Sequence, residues 1–307
     1  MGQEDVLMEI KLPLPKVGEK AGEIKKTKIR EVFEAGVDDQ GRDLILMVAT
    51  DRISVRDVVL LSGIPGKGRV LTEISSYWFR ETADICCNAF ITNQFEEFPS
   101  DLKERLASCR SDIEGRSTLM YKASPFLVEC IVRDVLVGKG SAWISYEKNG
   151  KVCGIQLPKG MKKDQKFAAP LFTPSTKAPV GEHDKNISFE EMRRIVEIAH
   201  RGQELRAFSL SLYCYAQNVA ALMGFGIDDT KFEFGILKDE ETGREHIVVI
   251  DELLTPDSSR YNPDYSKQPL RNWLEQIGWD GTPIELPSDR IEKTSQDYNK
   301  ALAMILH

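Results

Sequence analysis

The apolar positions of this chain change period repeatedly, and each change marks an element. DLILMVATDRIS (43–54) opens with an apolar run and then turns polar, as a buried strand does when it delivers its C-terminal end to a site. IPGKG (64–68) reads as a tight turn into a helix over RVLTEISSYWFRETAD (69–84). FLVECIVRDVLVG (126–138) predicts a pair of strands, and KNGKVCGIQLP (148–158) a turn feeding another. From Ser188 to Met223 the spacing is helical, with Asn186 or Ser188 as N-cap, Glu190 and Glu191 in the first turn, and Gly202 as the point of division into two helices. GFGIDDTKFEFGIL (224–237) and HIVVIDELLTPDSSRY (246–261) are strand-like runs joined by a polar KDEETGRE hairpin, and helical spacing returns at 268–276 and 289–306. With no internal repeat or low-complexity linker between them, these elements predict α+β lobes folded as one compact unit.

Length and composition narrow the class. A chain of 307 residues exceeds what one hydrophobic core usually organises, so two lobes with a cleft between them are expected. The 48 Asp and Glu against 41 Lys and Arg leave a net charge of -7, which argues against an extended nucleic-acid or anionic-membrane surface. No window reaches the roughly 18 apolar residues of a membrane span, and the N-terminal residues lack the pattern of a secretory or transit segment. A cytoplasmic protein is expected. The six cysteines have no CxxC spacing, and none of the four histidines pairs with Cys or Glu at zinc-site spacing, so free thiols are expected and a zinc enzyme is not.

Candidate chemistry concentrates in three segments. In DTKFEFG the charged Asp229, Lys231 and Glu233 alternate with Thr230, Phe232 and Phe234, so a strand would place two carboxylates and an ammonium on one face and aromatics on the other. An exposed strand with ordinary ion pairs is the plainer alternative. HIVVIDELLTPDSSR runs an apolar strand into Asp251 and Glu252, then into a turn carrying Asp257, Ser258, Ser259 and Arg260. An acid at a strand end beside other carboxylates suits Mg²⁺, which takes a few hard oxygen ligands plus water and substrate phosphates. The hydroxyls and the guanidinium after it suit a phosphate. KKTKIREVF gathers Lys25, Lys26, Lys28 and Arg30 near the N-terminus, whereas IPGKG lacks the spacing of a phosphate-binding P-loop.

The order of KIREVF, TDRIS-x-x-D, IPGKGRVLTEIS-x-x-WF, ECIVRD, GSAW, TPSTK, EHD, TKFEFG and IDE-x-x-TPDSSR resembles the phosphoribosylaminoimidazole-succinocarboxamide synthase (SAICAR synthetase) family, over nearly the whole chain. The resemblance implies a two-lobed α+β fold. A β-rich, kinase-like ATP-binding lobe would span residues 1–123, and a larger α+β lobe completing the cleft would span 124–307. It also implies an enzyme that uses ATP and Mg²⁺ to join L-aspartate to the carboxylate of carboxyaminoimidazole ribonucleotide, releasing ADP and phosphate. An acyl phosphate is the expected intermediate, because phosphorylation gives a poor electrophile a good leaving group. A kinase-like phosphotransferase and a non-catalytic nucleotide-binding protein are the alternatives.

By the same resemblance, Lys28 and Arg30 approach ATP, Lys122 and Ala123 lie near adenine, and Lys177 approaches the ATP phosphates. Glu233 and Asp251 are the metal-linked acids, with Asp229 and Lys231 aimed at the reacting carboxylate and amine. Arg133, Ser141 and Arg260, with Ser258 beside them, would hold the ribonucleotide 5′-phosphate. Asp51, Arg52, Ser54, Asp57 and Glu129 belong to the substrate side. Three departures from the family pattern stand out: Thr27 before the KxR motif, an extra Gly-Lys before Ser141, and Asp134 in place of a glycine after Arg133.

Overall fold

The computed structural model describes residues 6–18, 28–138, 140–177, 184–239 and 242–306. Lys25, Lys26 and Thr27 of the basic segment, Lys139, Glu182 and His183 of EHD, and Glu240 and Glu241 of the hairpin lie outside them.

The first half of the chain runs β1 (Arg30–Val37), β2 (Asp43–Ala49), β3 (Arg52–Val55), β4 (Val58–Gly63), α1 (Lys67–Glu81), β5 (Phe90–Thr92), α2 (Ser100–Leu106), α3 (Arg110–Ile113) and β6 (Ser117–Tyr121). β1, β2, β6 and β5 form an antiparallel sheet in that order, and β3 and β4 form a separate hairpin. The apolar run predicted as a strand is β2, and it ends at Ala49, where the segment turns polar, before β3 begins at Arg52. α1 follows the IPGKG turn because Gly68 lies against the end of β2: a Cβ there would stand 2.3 Å from the Ala49 carbonyl oxygen. Its buried face (Val70, Leu71, Ile74, Trp78, Phe79) joins a core shared with the second sheet.

The chain continues through β7 (Ser124–Pro125), β8 (Val128–Leu136), α4 (Ser141–Asn149), β9 (Lys151–Val152), β10 (Ile155–Gln156), β11 (Gln165–Phe172), β12 (Ser175–Thr176), α5 (Phe189–Ile195) and α6 (Ala199–Leu222). β13 (Gly226–Lys238), β14 (Glu245–Ile250), β15 (Ser259–Asn262), α7 (Gln268–Gln276) and α8 (Ser288–Leu306) complete it. β11, β8, β13 and β14 lie side by side, with β12 against β8 and both β7 and β15 against β13. α6 packs on this sheet, and α8 packs on α1. None of the helices among the described residues is long and apolar enough to cross a membrane.

Two expected boundaries move. Residues 126–138 contain the single strand β8 rather than a strand pair, because β8 is flanked by β11 and β12 on one side and by β13 on the other and needs no partner from its own segment. The long helical stretch breaks at residues 196–198, where Glu197 adopts φ 62°, and not at Gly202. Gly202 lies inside α6, where a Cβ would stand 2.7 Å from Arg193 Cγ; the glycine lets α5 lie close against α6. Ser188 does cap α5, in a reciprocal capping box with Glu191.

Candidate active site

β13 supplies the centre of the site. Its alternation is the predicted one: Phe232 and Phe234 are buried in the shared core, while Lys231 and Glu233 project to the other face and hydrogen-bond to each other. Glu233 also accepts from Lys177, which follows β12. Glu129 of β8 lies 3.3 Å from Lys231 Nζ and accepts from the Ser175 hydroxyl, and Asp251, just past β14, stands 4.0 Å from the same ammonium. Glu129, Lys177, Lys231, Glu233 and Asp251, drawn from four segments of the chain, thus form one cluster.

Burial alone would raise the Glu233 carboxyl, but the ammonium groups of Lys231 and Lys177 override it and hold it down at about 2. Burial would likewise lower Lys231, and Glu233, Glu129 and Asp251 instead raise it. Asp251 goes the other way: burial, then the charge of Glu233, pushes its carboxyl up despite Arg30 and Lys231. The cluster therefore holds more negative charge than its lysines offset, and the excess falls at Asp251, whose backbone sits at φ 63°. Two carboxylates, Glu233 and Asp251, fit a Mg²⁺ that completes its shell with phosphate oxygens and water. Among the described residues no group of three or more His, Cys, Asp or Glu could hold a metal without such help.

A second cluster occupies the other end of β13. Asp229 pairs with Arg133 on β8 and Arg260 on β15 in the sheet register, and both guanidinium groups bond to Asp229 Oδ2, Arg133 at 2.8 Å. Asp229, which the family resemblance aims with Lys231 at the reacting carboxylate and amine, has Arg133 and Arg260 as its direct partners. Arg260 also donates to Gln268, 3.2 Å away, and Arg271 on the next turn of α7 donates to the same oxygen at 3.3 Å. Burial, then the neighbouring Arg260, lowers the Arg271 guanidinium, so the pair forms a concentration of positive charge. A cavity of about 530 Å³ opens beside Arg260 and Gln268, with Gly138, Asp228 and Asp264 on its wall. Arg271 was missed in the sequence; its i, i+3 spacing from Gln268 after the SSR motif was the available signal.

The remaining predicted residues distribute around these clusters. Arg30, the first residue of β1, reaches Glu252 at 2.7 Å and so ties the first sheet to the turn beside Asp251. Ser258 supports that turn through its hydroxyl, 3.1 Å from the Thr255 amide, and its carbonyl accepts the backbone N–H of Lys231 at 3.0 Å. Lys28 pairs with Asp57 at 2.6 Å, Lys122 with Glu34 at 2.8 Å, and Arg52 with Glu31 at 2.7 Å. Ala123 lies against Gly235 of β13, Ser54 is buried in β3, and Ser141 is the exposed first residue of α4. Asp51 is closed to solvent. It is fully buried, accepting from the amides of Gly68 and Leu7 at 2.8 Å each and from Arg116 at 3.1 Å. The carboxylate of Asp134 pairs with Lys166, 2.8 Å away, which leaves Arg133 to Asp229.

The sequence profile of the SAICAR synthetase family matches residues 23–285. The phosphoribosylaminoimidazole-succinocarboxamide synthase of Desulforapulum autotrophicum is 41% identical over 295 residues, 92% of this chain and 94% of its own. That of Geobacter metallireducens is 39% identical over 295 residues, covering 92% and 93%. The structure of the Saccharomyces cerevisiae SAICAR synthase complexed with SAICAR aligns over 97% of both chains at TM-score 0.80 and 33% identity. A SAICAR synthetase in complex with ADP shares the fold at TM-score 0.62 and 19% identity, over 92% of this chain and 97% of its own. With the profile covering most of the chain and relatives near 40% identity along its length, this protein belongs to the SAICAR synthetase family, ATP-dependent carbon–nitrogen ligases of purine biosynthesis.

Proposed function

We propose that the two clusters on β13 divide the reaction between them: the arginine end holds the ribonucleotide by its 5′-phosphate, and the lysine–carboxylate end carries the amide-forming chemistry. The observation that supports this most is their placement on one strand, with Asp229 and Glu233 four residues apart and side chains on the same face. One ligand with a phosphate at one end and a carboxylate at the other can engage both. In this reading Arg133, Arg260 and Arg271 bind the phosphate, Ser141 and Ser258 support it, and Asp229 orients the two guanidinium groups that it bridges.

ATP enters from the side of the 1–123 lobe, with Lys28, Arg30, Lys122 and Ala123 along its path and Lys177 at its phosphates; residues 124–307 complete the cleft. Glu233 and Asp251 would hold Mg²⁺, which would neutralise charge on the transferring phosphoryl group. Lys177, held beside Glu233, supplies a fixed positive charge where the γ-phosphoryl oxygens gather. Transfer of that group to a carboxylate oxygen of the ribonucleotide releases ADP and leaves an acyl phosphate. The amine of L-aspartate attacks the acyl carbon, the amide C–N bond forms, phosphate departs, and the amine gives up a proton. Lys231, made a persistent cation by the carboxylates around it, stabilises the negative charge that develops on the acyl oxygen. Asp51, buried and hydrogen-bonded to the Leu7 and Gly68 amides and to Arg116, joins the N-terminal segment to α1 and so fixes the start of β3, the strand that carries Arg52 and Ser54 and leads into the turn at Asp57.

Steady-state ADP release tests the reading. It should require both carboxyaminoimidazole ribonucleotide and L-aspartate. ADP formed rapidly without the amino acid would identify a phosphotransferase, and no ADP with all substrates present would identify a nucleotide-binding protein without activity.

A further inference from the structure

Asp257, inside the 255–258 turn, has no role in the reaction described above, yet it is the hub of a buried ionic cluster. Lys67, the first residue of α1, donates to its Oδ2 at 2.8 Å, and Lys267, just before α7, lies 3.4 Å from its Oδ1. The hydroxyl of Tyr298, on the C-terminal helix α8, donates to the same Oδ1. The side chains of Lys67, Asp257 and Lys267 are 0%, 3% and 7% exposed, and Tyr298 is fully buried. A second contact seats α8 on the turn before α1, where the Ser295 hydroxyl donates to the Pro65 carbonyl at 3.1 Å. The IPGKG lysine, which the reaction leaves unused, therefore belongs to this cluster.

Taking two ammonium groups and a carboxylate out of water offsets most of what their pairing gains, so such a cluster is a poor source of stability and a better source of fixed geometry. What it fixes can be followed residue by residue. The residue after Asp257 accepts the Lys231 amide through its carbonyl, and the next two, Ser259 and Arg260, pair with Thr230 and Asp229 across the β13–β15 ladder. The carboxylate held by α1 and α8 is thus three residues from the guanidinium that meets Asp229.

We propose that Tyr298 is a positioning residue for the ribonucleotide site, acting through Asp257 and the 255–260 segment on Arg260. The proposal rests on the assignment of Arg260 to the ribonucleotide phosphate. The C-terminal helix is then part of how the substrate is held.

Tyr298→Phe tests this, because it removes the hydroxyl while keeping the ring that lies 5.6 Å from Lys67 Nζ. The KM for ribonucleotide should rise about threefold to tenfold, the range for one lost hydrogen bond, with a smaller fall in kcat and the KM for ATP unmoved. In an Arg260→Lys background the same substitution should cost less than about twofold, since residues acting through one element are not additive. A full effect in that background would overturn the proposal, as would equal shifts for all substrates or a lowered melting temperature with ribonucleotide KM unchanged. If Arg260→Lys alone leaves ribonucleotide affinity intact, the assignment of Arg260 fails instead, a result read from a different variant.

Discussion

Arg133 and Arg260 reach the same oxygen, Asp229 Oδ2, from strands on opposite sides of β13. Burial would raise the Asp229 carboxyl, but Arg260 and Arg133 together hold it below the usual carboxylate range, so it stays an anion throughout the neutral region. One carboxylate thus spaces two guanidinium forks that can turn their remaining N–H groups toward a phosphate.

Replacing Arg260 by Lys keeps the charge and loses the planar fork. Ribonucleotide affinity should fall about tenfold, equivalent to roughly 1.4 kcal/mol, while ATP affinity holds. Calorimetric titration with each ligand measures both; a loss confined to ATP would place the phosphate clamp on the wrong substrate.

Asp251→Asn removes the carboxylate on which the excess charge of the cluster falls. Turnover at saturating Mg²⁺ should drop about 100-fold or more, and the stabilisation of the protein by added Mg²⁺, read by thermal melting with ATP present, should shrink. Turnover near that of the parent would take Asp251 out of the site.

Lys231→Met leaves Glu129, Glu233 and Asp251 facing one another with only Lys177 directly paired to Glu233. Amide formation in a single turnover should be nearly abolished. The variant should also melt lower than the parent without metal and gain more from Mg²⁺ than the parent does, because a competing cation is gone. Equal Mg²⁺ stabilisation in the two proteins would argue against a shared cation site.

Phe232→Ala acts on the opposite face of the same strand. The ring is fully buried in the shared core, so its loss should cost about 3–5 kcal/mol of unfolding free energy. Chemical denaturation measures this directly, and a stable but inactive variant would reverse the orientation of β13.

Asp228 gives a pH signature. Burial, then the charge of Asp229, raises its carboxyl to about 6. The folded state therefore holds this proton more tightly than the unfolded chain, and the group's contribution favours folding at low pH and is lost as pH rises through 6. At pH 7 the charged form opposes folding, so Asp228→Asn should melt higher than the parent there, with the two proteins converging below about pH 4. A lower melting temperature for the variant at pH 7 would contradict the assignment.

Much of this was legible along the chain because it depends on neighbours in sequence. The period of two in Asp229–Phe234 follows from strand geometry alone, Ser188 caps α5 because the box closes within four residues, and the ordered motifs identified the family that the comparisons show. Gly202 misled because glycine marks a helix break and a close helix contact equally well, and only the position of Arg193 distinguishes the two.

Tertiary structure decided which charges meet. Arg30 lies 222 positions from Glu252, Lys67 190 from Asp257, and Arg133 96 from Asp229. Such pairs depend on sheet register and on which helix covers which turn, information that no local window contains. That is why the burial of Asp51 against the Gly68 and Leu7 amides, the bonding of Asp229 to two arginines, and the contacts of Arg271 with Gln268 and of Tyr298 with Asp257 could not be read along the chain. The sequence by itself determined the residue types and the face each would take on its own element; packing determined which of those faces meet.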